Sequence, residues 1–505
     1  MPLKTISETG LYKTLKDIFA SEKFLWGIVV YGILCRLTQY LAYRSLWVDE
    51  AKYAVKIMDY SYLQIFDLRQ VTFDPFTVRF ETAGPLGFFY LSKFLTQILG
   101  SSEYILRLIP FVASIAALFL MVRLVKKYLE PLGVAIAAML LAIDMSLIIR
   151  SADFHPYASD VAVTLLLLLM VEKLRRDNLN LKSIFFYGLL GAIAVWLSLP
   201  AVFVLVGLGS ALIIEFLLEK RREALPFAAA IIFLWLASFA VCYFVYLRLF
   251  TVHMAWPEGG YVTSILDIKG LWQGLRDVFT DEPMRFKYWH VPAALFFLGC
   301  MAVFLKDKKQ WMYLSFPILA ALAAAALGKY PFSGRLIIFL TPIFLIFIAE
   351  GVVSLDKLLP RKAQAVLIVL LIFLLLDPFI ASAKRLIKPI YREEIRPVIV
   401  EMEKLRKKGE PVYVYAYAGP AFHYYAKRLG LNENEFIIGR YHHGFPETEL
   451  AELNALKGRP RVWIVYDHVN NIEGRQFLSY LDQIGEKQHS YLKPGAGLLL
   501  YNLRN

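Results

Sequence analysis

Residues 46–54, LWVDEAKYA, set two adjacent carboxylates, Asp49 and Glu50, just beyond the first long apolar run of the chain. A membrane span would end there and an aqueous face begin. Acidic groups at such a rim cost about 2.5–3.5 kcal/mol if they slip into hydrocarbon. A pair flanked by the interfacial residue types Trp47 and Tyr53 therefore invites a functional reading, the plain alternative being a solvated loop. A second polar group, RSADFHPYASD at 150–160, supplies Arg150, Asp153, His155, Tyr157 and Asp160. A third, KYPFSGR at 329–335, supplies Lys329 and Arg335. Arg335 could snorkel at a helix end. As a planar guanidinium it could instead clamp phosphate through paired, charge-assisted hydrogen bonds, with Lys329 beside it.

The elements that must position these groups are membrane spans. Of 505 residues, 58% are hydrophobic and 19% charged, too apolar a balance for an ordinary soluble protein. Apolar runs of roughly 20 residues recur along most of the chain. We place them at about 24–43, 105–125, 132–149, a fourth running in to Lys173, then 184–199, 201–218, 224–249, 291–305, 311–327, 337–355 and 363–380. That makes about eleven transmembrane helices, an odd number that puts the N-terminus in the cytoplasm and the C-terminus outside. The formal charge of +13 does not point to nucleic acid, because many of the Lys and Arg residues lie in short clusters between spans. Under this topology all three polar groups face outward. A shared site explains why loops so far apart in sequence carry them.

Large external loops are expected at 44–84 and 250–290, the first rich in aromatic residues such as Phe73, Phe76 and Phe80, the second containing Trp256. His253 and His290, which flank the second loop, read as interfacial. Residues 1–383 form the transmembrane domain and 384–505 an extracytoplasmic, soluble α/β domain, in which strands at 411–417 and 461–468 alternate with helices and suggest a mostly parallel sheet. His442 and His443 lack the spacing of a metal site. Cys35, Cys242 and Cys300 lie in or at the ends of apolar runs and imply no disulfide framework. The first apolar run lacks a cleavage site and reads as a retained span of a multi-pass protein of the cell (inner) membrane.

Four stretches together resemble the C-type (GT-C) glycosyltransferases of the dolichyl-phosphate-mannose–protein mannosyltransferase-like group. They are LWVDEAKYA, GPLGFFYLSKFLTQILGSSEYILRLIPFVASI at 84–115, RSADFHPYASDV at 150–161 and YPFSGRLIIFLTPIFLI at 330–346. The resemblance spans about residues 24–355; the family's motif often has Glu and Lys where this chain has Asp153 and His155. It implies a polyprenyl-phosphate sugar donor and transfer to an acceptor hydroxyl with inversion. Asp49 would be the general base, and Glu50 its partner or part of the acceptor site. The leaving lipid phosphate would meet Arg335, Lys329, Arg150 and His155, with Asp153, Tyr157 and Asp160 contacting substrate. The sequence leaves open a divalent cation, Mg²⁺ or Mn²⁺, bridged by Asp49, Asp153 and Asp160. It also leaves open whether the acceptor is a glycan, a lipid or a protein. Two other classes fit a polytopic chain with outward charge: a ligase or polymerase that joins lipid-linked glycans, and a flippase or transporter of lipid-linked sugars. Transporters usually bury ionisable groups near the midplane, often in repeated halves, and no halves repeat is visible here.

Overall fold

A chain that crosses hydrocarbon must satisfy its backbone polar groups within itself, and helices do so. The computed structural model describes residues 8–66, 84–248, 268–360, 363–440, 447–469 and 472–504. Phe73, Phe76, Phe80, His253, Trp256, His442 and His443 lie outside them. Two units divide the chain: Met1–Leu41, Gly84–Phe88 and Arg107–Pro389 form one, and Ala42–Ala83, Phe89–Leu106 and Ile390–Asn505 the other.

In the first unit every expected apolar run falls on a helix. Among the described residues six are long and apolar enough to cross a membrane: Glu22–Leu41, Leu108–Tyr128, Ala201–Leu218, Leu225–Leu247, Gly334–Leu358 and Ala365–Ile387. The others are shorter or more polar, so the expected eleven crossings are not reached on length and hydropathy. The run at 132–149 shows why. It breaks at Asp144 into Pro131–Ile143 and Met145–Arg150, with the Asp144 carboxylate accepting the Leu147 N–H at 2.8 Å. A break frees carbonyls at the end of the first helix. The buried Arg36 takes them, donating to the Leu141 and Ala142 oxygens at 3.0 Å each. Elsewhere glycine permits close crossing: a Cβ on Gly299 or Gly351 would run into the backbone carbonyl of Phe347 or Leu295, so helices His290–Lys306 and Thr341–Leu358 meet backbone to backbone.

The second unit holds a five-stranded sheet of order β2-β1-β3-β5-β4, with β1 Val412–Val414, β2 Ile437–Ile438, β3 Val462–Asp467, β4 Glu486–Lys493 and β5 Ala496–Asn502. β1 lies parallel to β2 and β3, whereas β5 is antiparallel to both β3 and β4. The sheet is thus mixed, where a mostly parallel one was expected. The reason is the tight Pro494-Gly495 turn, which takes positive φ at Gly495 (67°) and returns the chain as a hairpin instead of a crossover. Every residue of β1 and β3 is buried, as suits central strands, while β4 is an exposed edge carrying Lys487, His489 and Lys493.

Residues 44–66, the described part of the first external loop, supply helix Val48–Asp59, which packs on helix Gly419–Leu429 of the same unit. His423 joins the two, contacting Asp59 at 2.6 Å and Glu433 at 2.7 Å, and Lys427 reaches Asp59 at 2.6 Å. Hydrogen bonds to Asp59 and Glu433 push the His423 pKa up to about 9 from an ordinary value near 6.5. The folded state thus holds this proton more tightly than the unfolded chain. The stabilisation is complete below about pH 6.5 and is lost as pH rises through about 9. His423→Gln is expected to lower stability by about 1.5–3 kcal/mol near pH 6, and the deficit should shrink toward pH 10. Denaturant unfolding of both proteins across that range measures it.

Candidate active site

Successive residues of a helix project about 100° apart, so an adjacent acidic pair cannot share one environment. Asp49 and Glu50 lie in the first turn of Val48–Asp59, where negative charge complements the exposed N–H groups and the dipole. Glu50 points inward and is wholly buried, its carboxylate accepting the Trp47 N–H at 3.4 Å. Asp49 keeps 17% of its side chain exposed, with the Lys52 ammonium 3.6 Å away.

Around this helix start stand residues that sequence reading passed over. Glu393 accepts the Val48 N–H at 2.7 Å and pairs with His468 Nδ1 at 2.7 Å. Glu394 accepts both the Ser45 N–H and its hydroxyl at 3.1 Å, and Arg392 lies over the Trp47 ring, 5.1 Å from its centroid. His468 follows β3 in left-handed backbone (φ 53°), a conformation uncommon outside glycine. The hydrogen bond to Glu393 raises its pKa above the usual imidazole range, although burial opposes this. Asp467 is completely buried; burial first, then the nearby Glu393, holds its carboxyl well above the ordinary range. The Tyr466-Asp467-His468 run at the carboxyl end of a central strand was the available signal, since ligand-facing groups of α/β sheets gather there.

In the first unit, helix Met145–Arg150 ends on Arg150, and residues 151–156 turn the chain into helix Tyr157–Leu174. Arg150 is buried and holds both oxygens of Glu282 at 2.8 Å and Asp153 at 3.1 Å. Arg285 also reaches Glu282, at 2.6 Å. Two guanidiniums therefore share these two carboxylates. Burial pushes Glu282 up, but Arg150 and Arg285 outweigh it and bring its pKa below the usual range. Glu282 belongs to the expected second loop; its partner is 132 residues away, so no local pattern marks it.

Tyr157 collects the remaining groups. The His155 ring stacks on it at 4.3 Å, the Arg150 guanidinium lies 4.9 Å from its centroid, and Arg335 lies 5.8 Å from it. Arg335 is thus a second guanidinium beside the same ring. Lys329 is exposed, and Asp160 is buried, with Oδ1 lacking a hydrogen-bond partner among the described residues. No group of three or more His, Cys, Asp or Glu side chains that could hold a metal ion occurs among the described residues.

Known structures share this architecture. ArnT from Cupriavidus metallidurans in the apo state aligns over 93% of this chain and 96% of its own, with 11% identity and a TM-score of 0.51. The same protein bound to undecaprenyl phosphate gives 10% identity, 94% and 97% coverage and a TM-score of 0.51. The oligosaccharyltransferase AglB from Archaeoglobus fulgidus, in complex with an inhibitory peptide and a dolichol-phosphate, gives 14% identity, 94% and 74% coverage and a TM-score of 0.52. The chain is a multi-pass membrane protein with the fold of the C-type glycosyltransferases. Residues 83–244 match the family model of dolichyl-phosphate-mannose-protein mannosyltransferases, in keeping with the resemblance seen in the sequence. No curated protein matches the chain.

Proposed function

We propose that this protein transfers a sugar from a polyprenyl-phosphate donor to an acceptor hydroxyl on the extracytoplasmic face of the cell membrane, with inversion and with Asp49 as the general base. The observation that carries this reading is the division within the acidic pair: Glu50 is consumed as a buried cap while Asp49 remains reachable. Support for the donor comes from the fold shared with ArnT bound to undecaprenyl phosphate and AglB bound to a dolichol-phosphate.

The acceptor oxygen attacks the anomeric carbon, its proton passes to an Asp49 oxygen, and the bond from that carbon to the phosphate oxygen breaks. The electron pair leaves on the lipid phosphate. A carboxylate is a weak base at rest, but the attacking hydroxyl acidifies as its new bond forms, so placement matters more than basicity. Charge growing on the phosphate calls for fixed cations. We assign that role to Arg335, with Lys329 and His155 assisting. Arg150, already balanced by Glu282 and Asp153, acts as a strut that aligns Tyr157. Asp160 offers an oxygen to a sugar hydroxyl, and Tyr157 and Asp153 complete the substrate contacts.

The test is purified protein in lipid given a panel of polyprenyl-phosphate and polyprenyl-pyrophosphate sugars. Release of polyprenyl phosphate supports single-sugar transfer. Turnover with pyrophosphate-linked glycans alone would move the assignment to the whole-glycan transfer that the AglB likeness suggests, and translocation without release would indicate a flippase. Asp49→Asn should lower kcat by about 10²–10⁴ with donor KM little changed; near-normal turnover would remove Asp49 as the base. Arg335→Lys should raise donor KM or lower kcat, because a point charge cannot copy a planar fork. Normal kinetics there would mean that Arg335 only snorkels.

Orientation follows from the Lys and Arg clusters between spans: N-terminus cytoplasmic, residues 384–505 outside. In intact cells with a permeabilised outer barrier, Ser490→Cys on the exposed β4 edge should react with an impermeant maleimide. Protection until the membrane is lysed would reverse the topology.

A further inference from the structure

A helix starts with N–H groups that no turn of its own can satisfy, and the residue just before it usually supplies an accepting side chain. At Val48–Asp59 that residue is Trp47, which has none to offer. The Val48 N–H is taken instead by Glu393, 345 residues away, at 2.7 Å. The preceding amides are held in the same way: Ser45 N–H by Glu394 at 3.1 Å, Leu46 N–H by the Tyr425 hydroxyl at 2.9 Å, and Trp47 N–H by Glu50 at 3.4 Å. Four consecutive backbone donors thus end on side chains, and three of those side chains belong to the C-terminal segment.

We infer that Glu393 and Glu394 are positioning residues for the base, through which the C-terminal domain fixes the segment that carries Asp49. This rests on the reading of Asp49 given above and assigns the last 116 residues of the second unit, Ile390–Asn505, a part in the reaction.

The two glutamates are themselves anchored to the sheet. The Glu394 N–H donates to the Pro494 oxygen in the β4–β5 turn at 2.8 Å, and the Ser45 hydroxyl that bonds Glu394 also receives the Arg396 N–H at 3.2 Å. Glu393 is braced by His468 from the end of β3 at 2.7 Å. Asp467, next to His468 in sequence, is completely buried, and neither of its oxygens has a hydrogen-bond partner among the described residues. Burial first, then the nearby Glu393, holds its carboxyl well above the ordinary range. Glu393 sets one oxygen on the helix N-terminus and the other on His468.

The test uses the full-length protein in lipid, the donor found above, and Glu393→Gln, Glu394→Gln, Asp49→Asn and the double variant Asp49→Asn/Glu393→Gln. Hydrogen–deuterium exchange of the peptide covering 45–50 should speed up about tenfold or more in each glutamine variant, the loss expected for a bond to a charged acceptor. kcat should fall about 10-fold or more while donor KM holds, and the double variant should be no slower than Asp49→Asn alone, because both changes act through one group. Unchanged exchange and kcat in both glutamine variants would overturn the inference. So would a double variant slowed by the full product of the two single effects, which marks Glu393 as acting independently of Asp49. If Glu393→Gln fails to fold, His468→Gln carries the same comparison by removing the brace alone. Full activity in Asp49→Asn would fail the base assignment by itself, leaving exchange to judge the anchoring.

Discussion

A break in a buried helix leaves backbone carbonyls in need of donors, and the first unit turns on how one such break, at Asp144, is made tolerable. The interruption at Asp144 leaves carbonyls in need of donors, and Arg36, from helix Glu22–Leu41, supplies them. The break lets a short second helix, Met145–Arg150, leave the direction of the first and end on Arg150. From there the network with Glu282, Asp153 and Tyr157 becomes possible. Were Arg36 apolar, the Leu141 and Ala142 oxygens would lose these donors.

The helical bundle was legible because its signal is local: apolar runs of sufficient length, separated by basic clusters, mark helices whatever they pack against. The break was not, since it depends on Arg36 meeting the Leu141 and Ala142 carbonyls across a sequence gap of more than a hundred residues. Glu282 and Glu393 were missed for the same reason. Each looks like an ordinary surface acid until its partner is known. The mixed sheet was misread because buried antiparallel strands such as β5 carry the same continuous apolar run as parallel ones.

The acidic pair at 49–50 was legible as a pair but not as two different residues. Rotation along the helix separates them, and the absence of an accepting side chain at Trp47 gives Glu50 structural work. Asp49 has the Lys52 ammonium 3.6 Å away, longer than a tight charge-assisted hydrogen bond.

The left-handed backbone at His468 narrows what position 468 can accept. The main chain there favours Gly, or Asn among residues with a side chain, whereas Glu393 asks for a cation. Lysine or arginine would bring charge at a backbone cost, and glycine would relieve the backbone while leaving Glu393 unbraced. Histidine is enriched in this conformation and can carry a proton, so it meets both demands with one side chain. The tolerated alphabet at this position is therefore set jointly by a dihedral angle and a carboxylate, and neither alone would select histidine.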